Sequence, residues 1–313
     1  MVFLDLEEGA LSREDIEARR AHQQRLALDE TGALTAQAHD KLEASSTRRL
    51  SLIVLGSGSK GNASIVFDRV SGDGVLIDAG ICKRDVFAFA KQGGFDLCNL
   101  KGIFISHSHS DHVKNLGVIV RGLRAKGIDA PIFAHQLTYE HARELQKVFD
   151  ISDVDPIDAG QDVKVGKLRV RILPTSHDTE VSFGFRFECG SDSLGFITDT
   201  GMLLPEALDG LRGVRILGLE SNHDIAMLQN GPYPRMLKDR VASDHGHLSN
   251  AQAAAALETL ITDKLETVVA LHISENNNTY RLPVEILRAV VERSGASVEV
   301  TCAYQHRPVF ITS

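Results

Sequence analysis

Ile105-Ser106-His107-Ser108-His109-Ser110-Asp111-His112 follows an apolar, strand-like run and sets three histidines and an aspartate between positions 107 and 112. Neutral imidazole nitrogens and hard carboxylate oxygens together suit zinc, manganese or iron. Alternate residues of an extended segment point the same way, so His107 and His109 can grip one ion. Asp111 and His112, at the turn into a helix, can reach a second. A lone histidine is usually a surface or core residue, but no packing or capping role calls for four such groups at once.

The rest of the donor set stands at the ends of later strand-like runs. Arg169–Pro174 leads to Thr175-Ser176-His177-Asp178, Ser193–Ile197 leads to Thr198-Asp199-Thr200-Gly201, and Thr267–Leu271 leads to His272-Ile273-Ser274. Polar ligands at several strand ends point to one shared rim. The expected assignment is His107, His109 and His177 on a first divalent ion, Asp111, His112 and His272 on a second, and Asp199 bridging both.

In this order, Asp78, the His-x-His-x-Asp-His cluster, His177, Asp199 and His272 resemble the five motifs of the metallo-β-lactamase superfamily over roughly residues 51–313. The resemblance implies an α/β fold, a four-layer αββα sandwich with the metals at one edge between the sheets. It gives Asp78, in Val75-Leu76-Ile77-Asp78-Ala79-Gly80, the task of orienting the histidine loop by hydrogen bonds. A bridging aspartate with a final histidine is typical of the phosphodiesterase and glyoxalase branches, and no cysteine holds a comparable ligand position. Gly246-His247-Leu248-Ser249-Asn250 resembles the ribonuclease Z-like pattern in which a histidine opening a helix protonates the leaving group, with Ser249 as N-cap. Gly56-Ser57-Gly58-Ser59-Lys60-Gly61-Asn62, Glu220-Ser221-Asn222-His223-Asp224 and His272-Ile273-Ser274-Glu275-Asn276-Asn277-Asn278 add a resemblance to the YycJ/WalJ-like group. Members of that group are regarded as 5′ to 3′ DNA exonucleases linked to mismatch repair. The resemblance thus implies a metal-dependent phosphodiesterase holding two divalent ions, zinc or manganese, with a hydroxide between them as nucleophile. Asp111, Asp199 and His247 are its catalytic candidates. Lys60, Asn222, Asn276 and Asn277 are its candidate substrate contacts, and nucleic acid, DNA first, is its expected partner.

Composition sets the bounds. A chain of 313 residues with 43% hydrophobic and 24% charged residues has the balance of an ordinary soluble globular protein with a large core. Cys82, Cys98, Cys189 and Cys302 lie far apart, so neither a disulfide framework nor a zinc knuckle is indicated. The acidic start Met1-Val2-Phe3-Leu4-Asp5 lacks a signal-peptide pattern, and no apolar run approaches the length of a membrane span. The expectation is a cytoplasmic protein without membrane contact. The net charge of −8 weighs against a broad phosphate-binding face. It keeps alive an alternative, a hydrolase of a small thioester, lactone or cyclic phosphate. Nucleases can confine positive charge to the rim, where Lys60, Lys83, Arg84, Lys114, Arg121 and Arg124 are candidates.

Residues 1–50 read as a polar extension, either an appended helix begun at Ser12 or a partly disordered arm, before a catalytic domain over 51–313. Within that domain strand-like and helical runs alternate without an internal repeat. Helices are predicted over Lys83–Gln92, His112–Lys126, Thr138–Val148, Asn250–Ile261 and Pro283–Arg293. The Gly56–Gly61 loop lacks nucleotide-binding spacing and is read as a hairpin whose amides and Lys60 face the substrate.

Overall fold

The structure, a computed structural model, describes residues 47–148 and 151–312. The chain divides between Arg48 and Arg49, and every strand and helix named here belongs to the second unit. The predicted N-terminal extension lies outside the described residues apart from its last four positions.

Strands β1 (Leu50–Gly56), β2 (Ala63–Asp68), β3 (Gly74–Ile77), β4 (Leu100–Phe104), β5 (Ile132–Ala134) and β6 (Val154–Pro156) form one sheet, to which β14 (Val309–Ile311) adds the edge beside β1. The second sheet runs in the order β13-β12-β11-β10-β9-β8-β7, from β7 (Asp162–Val165), β8 (Leu168–Pro174), β9 (Phe183–Cys189), β10 (Asp192–Ile197), β11 (Ile216–Glu220), β12 (Thr267–Leu271) and β13 (Glu299–Cys302). Each sheet joins an antiparallel half to a parallel half. β3 through β6 pair in parallel in the first, and β10 through β13 in the second.

Helices follow as α1 (Lys83–Gln92), α2 (Ser110–Val113), α3 (Leu116–Arg124), α4 (Gln136–His141), α5 (Arg143–Gln146), α6 (Pro205–Leu211), α7 (Ile225–Asn230), α8 (Arg235–Val241), α9 (Asn250–Leu260) and α10 (Leu282–Ser294). Three apolar layers explain the architecture. Ile53 and Leu55 of β1 pack with α1 and α3 on one side of the first sheet, whereas Leu52 and Val54 face the second sheet. Val269 and Leu271 of β12 complete that middle layer, and Val268 and Ala270 turn outward to α6, α9 and α10. Because central strands are covered on both faces, β1, β10, β11 and β12 are buried along their whole length and are largely apolar rather than alternating. The expected αββα sandwich is present.

A buried ion pair ties the sheets at the edge away from the histidines. Arg215 grips both oxygens of Asp192, Nε to Oδ1 at 2.8 Å and Nη2 to Oδ2 at 2.7 Å, and also donates to the Leu50 carbonyl of β1. The Leu50 amide closes the link onto Asp192 Oδ2 at 2.7 Å.

Several predicted elements differ in detail. The single helix expected from His112 is two helices, since the chain turns at Lys114-Asn115 and the Asn115 side-chain amide donates to the Gly80 carbonyl. The helix expected over Thr138–Val148 breaks at Ala142, whose backbone is extended (φ −95°, ψ 102°). The strand-like run Arg169–Pro174 lies in the second strand of a hairpin, β7 and β8, which turns at Gly166 with φ 58°. β6, β14, α6, α7 and α8 were not predicted. Among the described residues no helix is long and apolar enough to cross a membrane.

Candidate metal centre

The candidate ligands converge at the carboxyl ends of the strands of both sheets. Asp78 follows β3, the histidine cluster follows β4, His177 follows β8, Asp199 follows β10, Glu220 ends β11 and His272 follows β12. Crevices outside strand carboxyl ends are the usual site in such sheets. Asp78, Asp199 and His272 have φ of 59°, 53° and 53°, the only positive values of non-glycine residues among those described. Gly80 is required next to them, since a Cβ there would lie 1.6 Å from the carbonyl oxygen of Asp111.

Donor atoms of His107, His109 and His177 lie within 4.8 Å of one another, and so do those of Asp111, His112 and His272. Asp199 falls into a third group with His107 and His112 and a fourth with Glu220, His247 and His272, so its carboxylate sits between the two histidine sets. His112 Nε2 is 3.3 Å from Asp199 Oδ2, and His177 Nε2 and His272 Nε2 are each 3.7 Å from Asp199 Oδ1.

The supporting bonds fix which imidazole nitrogens face inward. Asp78 Oδ2 lies 2.7 Å from His112 Nδ1, and Asp78 Oδ1 accepts from the Ser106 amide at 2.8 Å. His177 Nδ1 donates to the Gly246 carbonyl at 3.0 Å. His272 Nδ1 lies 3.2 Å from Glu220 Oε1, while Asn222 donates to the His272 carbonyl. In each case Nε2 is left toward the centre, as metal-ligating histidines require.

The residues present fit divalent ions. His107 Nε2 and His272 Nε2 are buried, yet neither has a hydrogen-bond partner among the described residues. Buried polar atoms normally have one, and a cation supplies it. Charge balance points the same way. Burial opposes charge on His112, but Asp199, Asp78 and Asp111 outweigh it and hold its pKa well above the ordinary value. His272, opposed by burial but drawn by Asp199, Asp111 and Glu220, is pushed up to about 10. Burial and neighbouring histidines instead drive His107 well down. Asp199 is held far below the usual carboxylate range, since His272 and His112 overcome its burial. The carboxylates thus call for positive charge among these imidazoles.

A cleft of about 200 Å³ opens over the ligands, with His109, Asp111, Asp199, His247 and His272 in its walls. His247 Nδ1 is held by Glu220 Oε1 at 2.7 Å, and its Nε2 has no partner among the described residues. Ser249 caps α9 in a capping box with Gln252, which fixes the backbone two residues beyond His247.

Other candidates sit differently. Lys60 pairs with Glu275 at 2.6 Å and borders a neighbouring cavity with Lys114 and Gln305. Asn276 donates to the Tyr233 hydroxyl at 3.1 Å at the cleft's edge. Asn222 and Asn277 are buried outside the lining, Asn222 behind His272 and Asn277 beneath α7, where its carbonyl accepts from the Asp224 amide. Neither side chain reaches the cleft. Lys83, Arg84, Arg121 and Arg124 lie outside the lining too.

Three residues escaped the sequence reading. Glu220, fully buried, holds His247 and His272 together, and its Oε2 accepts from the Thr200 amide. Burial opposes its charge, but the His247 charge and the bonds to His247 and His272 outweigh that and lower its pKa to about 2. Asp178 places Oδ1 3.4 Å from His177 Nε2. Arg240 pairs with Asp178 across the cleft. Glu220 and Asp178 stood inside quoted motifs, close to Asn222 and His177, and that proximity was the available signal.

A two-sheet sandwich with this donor set at its strand ends defines the class of metal-dependent hydrolases. A family model described as "Beta-lactamase superfamily domain" matches residues 74–273. Exodeoxyribonuclease YycJ of Bacillus anthracis is 32% identical over 253 residues, 78% of this chain and 90% of that protein. Exodeoxyribonuclease WalJ of Streptococcus pneumoniae serotype 2 is 29% identical over 232 residues, 73% of this chain and 83% of that protein. Among solved structures, the metallo-β-lactamase fold protein YhfI of Bacillus subtilis superposes with a TM-score of 0.62 at 16% identity, covering 84% of this chain and 99% of that one. The chain belongs to the metallo-β-lactamase superfamily and is a YycJ-like member of it.

Proposed function

We propose that the chain is a phosphodiesterase that shortens DNA from its 5′ end, holding two divalent ions, zinc or manganese, in the paired histidine sets. The observation that carries this reading is the Glu220–His247 pair at the floor of the cleft. A carboxylate that fixes Nδ1 aims Nε2 at the donor cluster, and with the ring in its imidazolium form Nε2 can give a proton to a departing alkoxide. The exodeoxyribonuclease names of the curated relatives support DNA as substrate.

The two histidine sets with Asp199 and Asp111 would hold the divalent ions, which when bound would supply Lewis acidity toward water and a phosphoryl group. Asp199 and Asp111 hold charge at the centre, one between the histidine sets and one at the cleft wall. Asp78 keeps the His112 ring from turning. His247 gives its Nε2 proton to the leaving ribose oxygen, and Glu220 holds the ring in line while the proton leaves.

Duplex DNA labelled at the 5′ end should release label early as short products, 3′-labelled DNA should shorten progressively, and closed circles should resist attack. Rapid linearisation of a closed circle would refute the exonuclease assignment. The small cleft and the net charge of −8 favour a second reading, hydrolysis of a small thioester, lactone or cyclic phosphate. Turnover of such a panel with no attack on DNA would establish it.

A further inference from the structure

α7 and α8 fill the connection between β11 and α9, and α8 is an unusual helix: none of its residues is buried. Its polar side chains face solvent, while Leu237, Arg240 and Val241, spaced to share one face, line the cleft with Tyr233 just ahead of the helix. Helices that stabilise a fold turn their apolar stripe to the core. This one turns it to the active-site cleft, and Met236 beside it is 80% exposed.

Charge singles out Arg240. The cleft wall carries Asp111, Asp178 and Asp199, and Arg240 is its only lysine or arginine among the described residues. Its Nε is engaged by Asp178, and its terminal nitrogens have no protein partner among the described residues. The guanidinium is therefore held over the cleft with both terminal nitrogens to spare, in the planar arrangement that matches two phosphate oxygens. Tyr233 is fixed by its bond to Asn276, which sets an aromatic ring in the same wall.

We propose that the α7–α8 segment receives the end of a single nucleic-acid strand, Arg240 binding the phosphate next to the one hydrolysed and Tyr233 stacking against the adjoining base. This rests on the phosphodiesterase reading above. A cavity of about 200 Å³ admits one strand end rather than a duplex. Stacking on an aromatic ring tolerates any base, as an exonuclease needs. Asp178 holds Arg240 in place between substrates and gives way to the phosphate.

The test uses the full-length, metal-loaded protein and a fluorescein-labelled single-stranded DNA with phosphorothioate linkages, its binding followed by anisotropy across a salt series. Arg240→Ala should weaken binding and flatten the log–log salt dependence by about 0.7, the share of one single-strand phosphate contact. Arg240→Lys should restore part of the slope. Tyr233→Ala should weaken binding roughly 5- to 150-fold, the range for one lost base stack, with Tyr233→Phe recovering most of it. Asp178→Asn should tighten binding, and more so with Arg240 present than in the Arg240→Ala background. Wild-type affinity and slope in Arg240→Ala, in a protein that binds and hydrolyses DNA, would overturn the proposal. So would loss of metal in Arg240→Ala matched by weaker binding in Asp178→Asn, because Arg240 would then serve only to position Asp178. If the wild-type protein neither binds nor hydrolyses DNA, the phosphodiesterase reading itself falls, and this proposal with it.

Discussion

Glu220→Gln is the most informative single change. The carboxylate accepts on every side: Oε1 faces Nδ1 of His247 at 2.7 Å and of His272 at 3.2 Å, and Oε2 accepts from the Thr200 amide at 2.8 Å. Glutamine has the same shape but one donor end. Its oxygen must stay with the Thr200 amide, so its NH₂ meets both imidazoles and forces Nδ1 of each to become an acceptor. For His272 that favours the tautomer protonated on Nε2, the nitrogen that faces the centre, whereas a metal-bound ring must keep its proton on Nδ1, where it would meet the glutamine NH₂ donor to donor. Loss of a partner behind a metal ligand costs about 10- to 100-fold in affinity or activity, or roughly 1.4 to 2.7 kcal/mol at 1.36 kcal/mol per tenfold change. Zinc affinity measured against a competing chromophoric chelator should fall by that factor. With zinc saturating, the rate should remain about 10- to 100-fold down, because His247 has lost the acceptor that aligns it. Full recovery of rate at saturating zinc would show that Glu220 acts through His272 alone. Unchanged affinity together with an unchanged rate would refute the whole account.

Asp199→Ala should remove at least one ion per chain and abolish activity, since both histidine sets share that carboxylate; full metal by elemental analysis with full rate would refute the sharing. His247→Ala should keep its metal and melting temperature yet lose roughly 10²- to 10⁴-fold on DNA, and less on a nitrophenyl phosphodiester whose leaving group needs no proton. Equal losses on both substrates with a fallen melting temperature would assign His247 to structure instead. In the metal-free protein His112 and His272 carry protons, the latter up to about pH 10, so metal uptake must expel them and tighten as pH rises through neutrality. Calorimetry in buffers of differing ionisation enthalpy should report proton release, and heats independent of buffer would contradict it.

The residues that were legible in the sequence are those whose chemistry is local. His107, His109, Asp111 and His112 stand within one short segment, and His177, Asp199 and His272 each end an apolar run, so spacing alone points to a rim of ligands. The sandwich was legible through the motif resemblance, which the mixture of strand-like and helical runs without an internal repeat fits. Glu220 was not, because an acidic residue at a strand end is common, and its function depends on two imidazoles that are distant in sequence, at 247 and 272. α8 was missed for a related reason. A short helix whose apolar stripe lines a cleft lacks the long core-facing periodicity by which α1 and α10 were recognised. The place of Asn277 was not legible either: its run of three asparagines after His272 reads as a substrate loop, and in the structure its side chain is buried outside the cleft lining.

The three left-handed residues connect the fold to the site. Each stands at the end of a strand in the parallel half of its sheet, Asp78 after β3, Asp199 after β10 and His272 after β12. An L-residue in that conformation costs roughly 1 to 2 kcal/mol, so the three together store roughly 3 to 6 kcal/mol. Loops could not hold this strain, but the strands can. β3, β10 and β12 are buried throughout, and the turns are pinned by bonds from the Asp78 amide to the Phe104 carbonyl and from the His272 amide to Ser57 Oγ, both at 2.8 Å. The turn bends each side chain across the end of its strand instead of along it, which brings donors from two sheets to one point. Ligand geometry is thereby set by the apolar layers of the sandwich before any ion binds. This is why a site assembled from distant segments can be rigid, while one wall of the cleft over it is left to a helix with no buried residue.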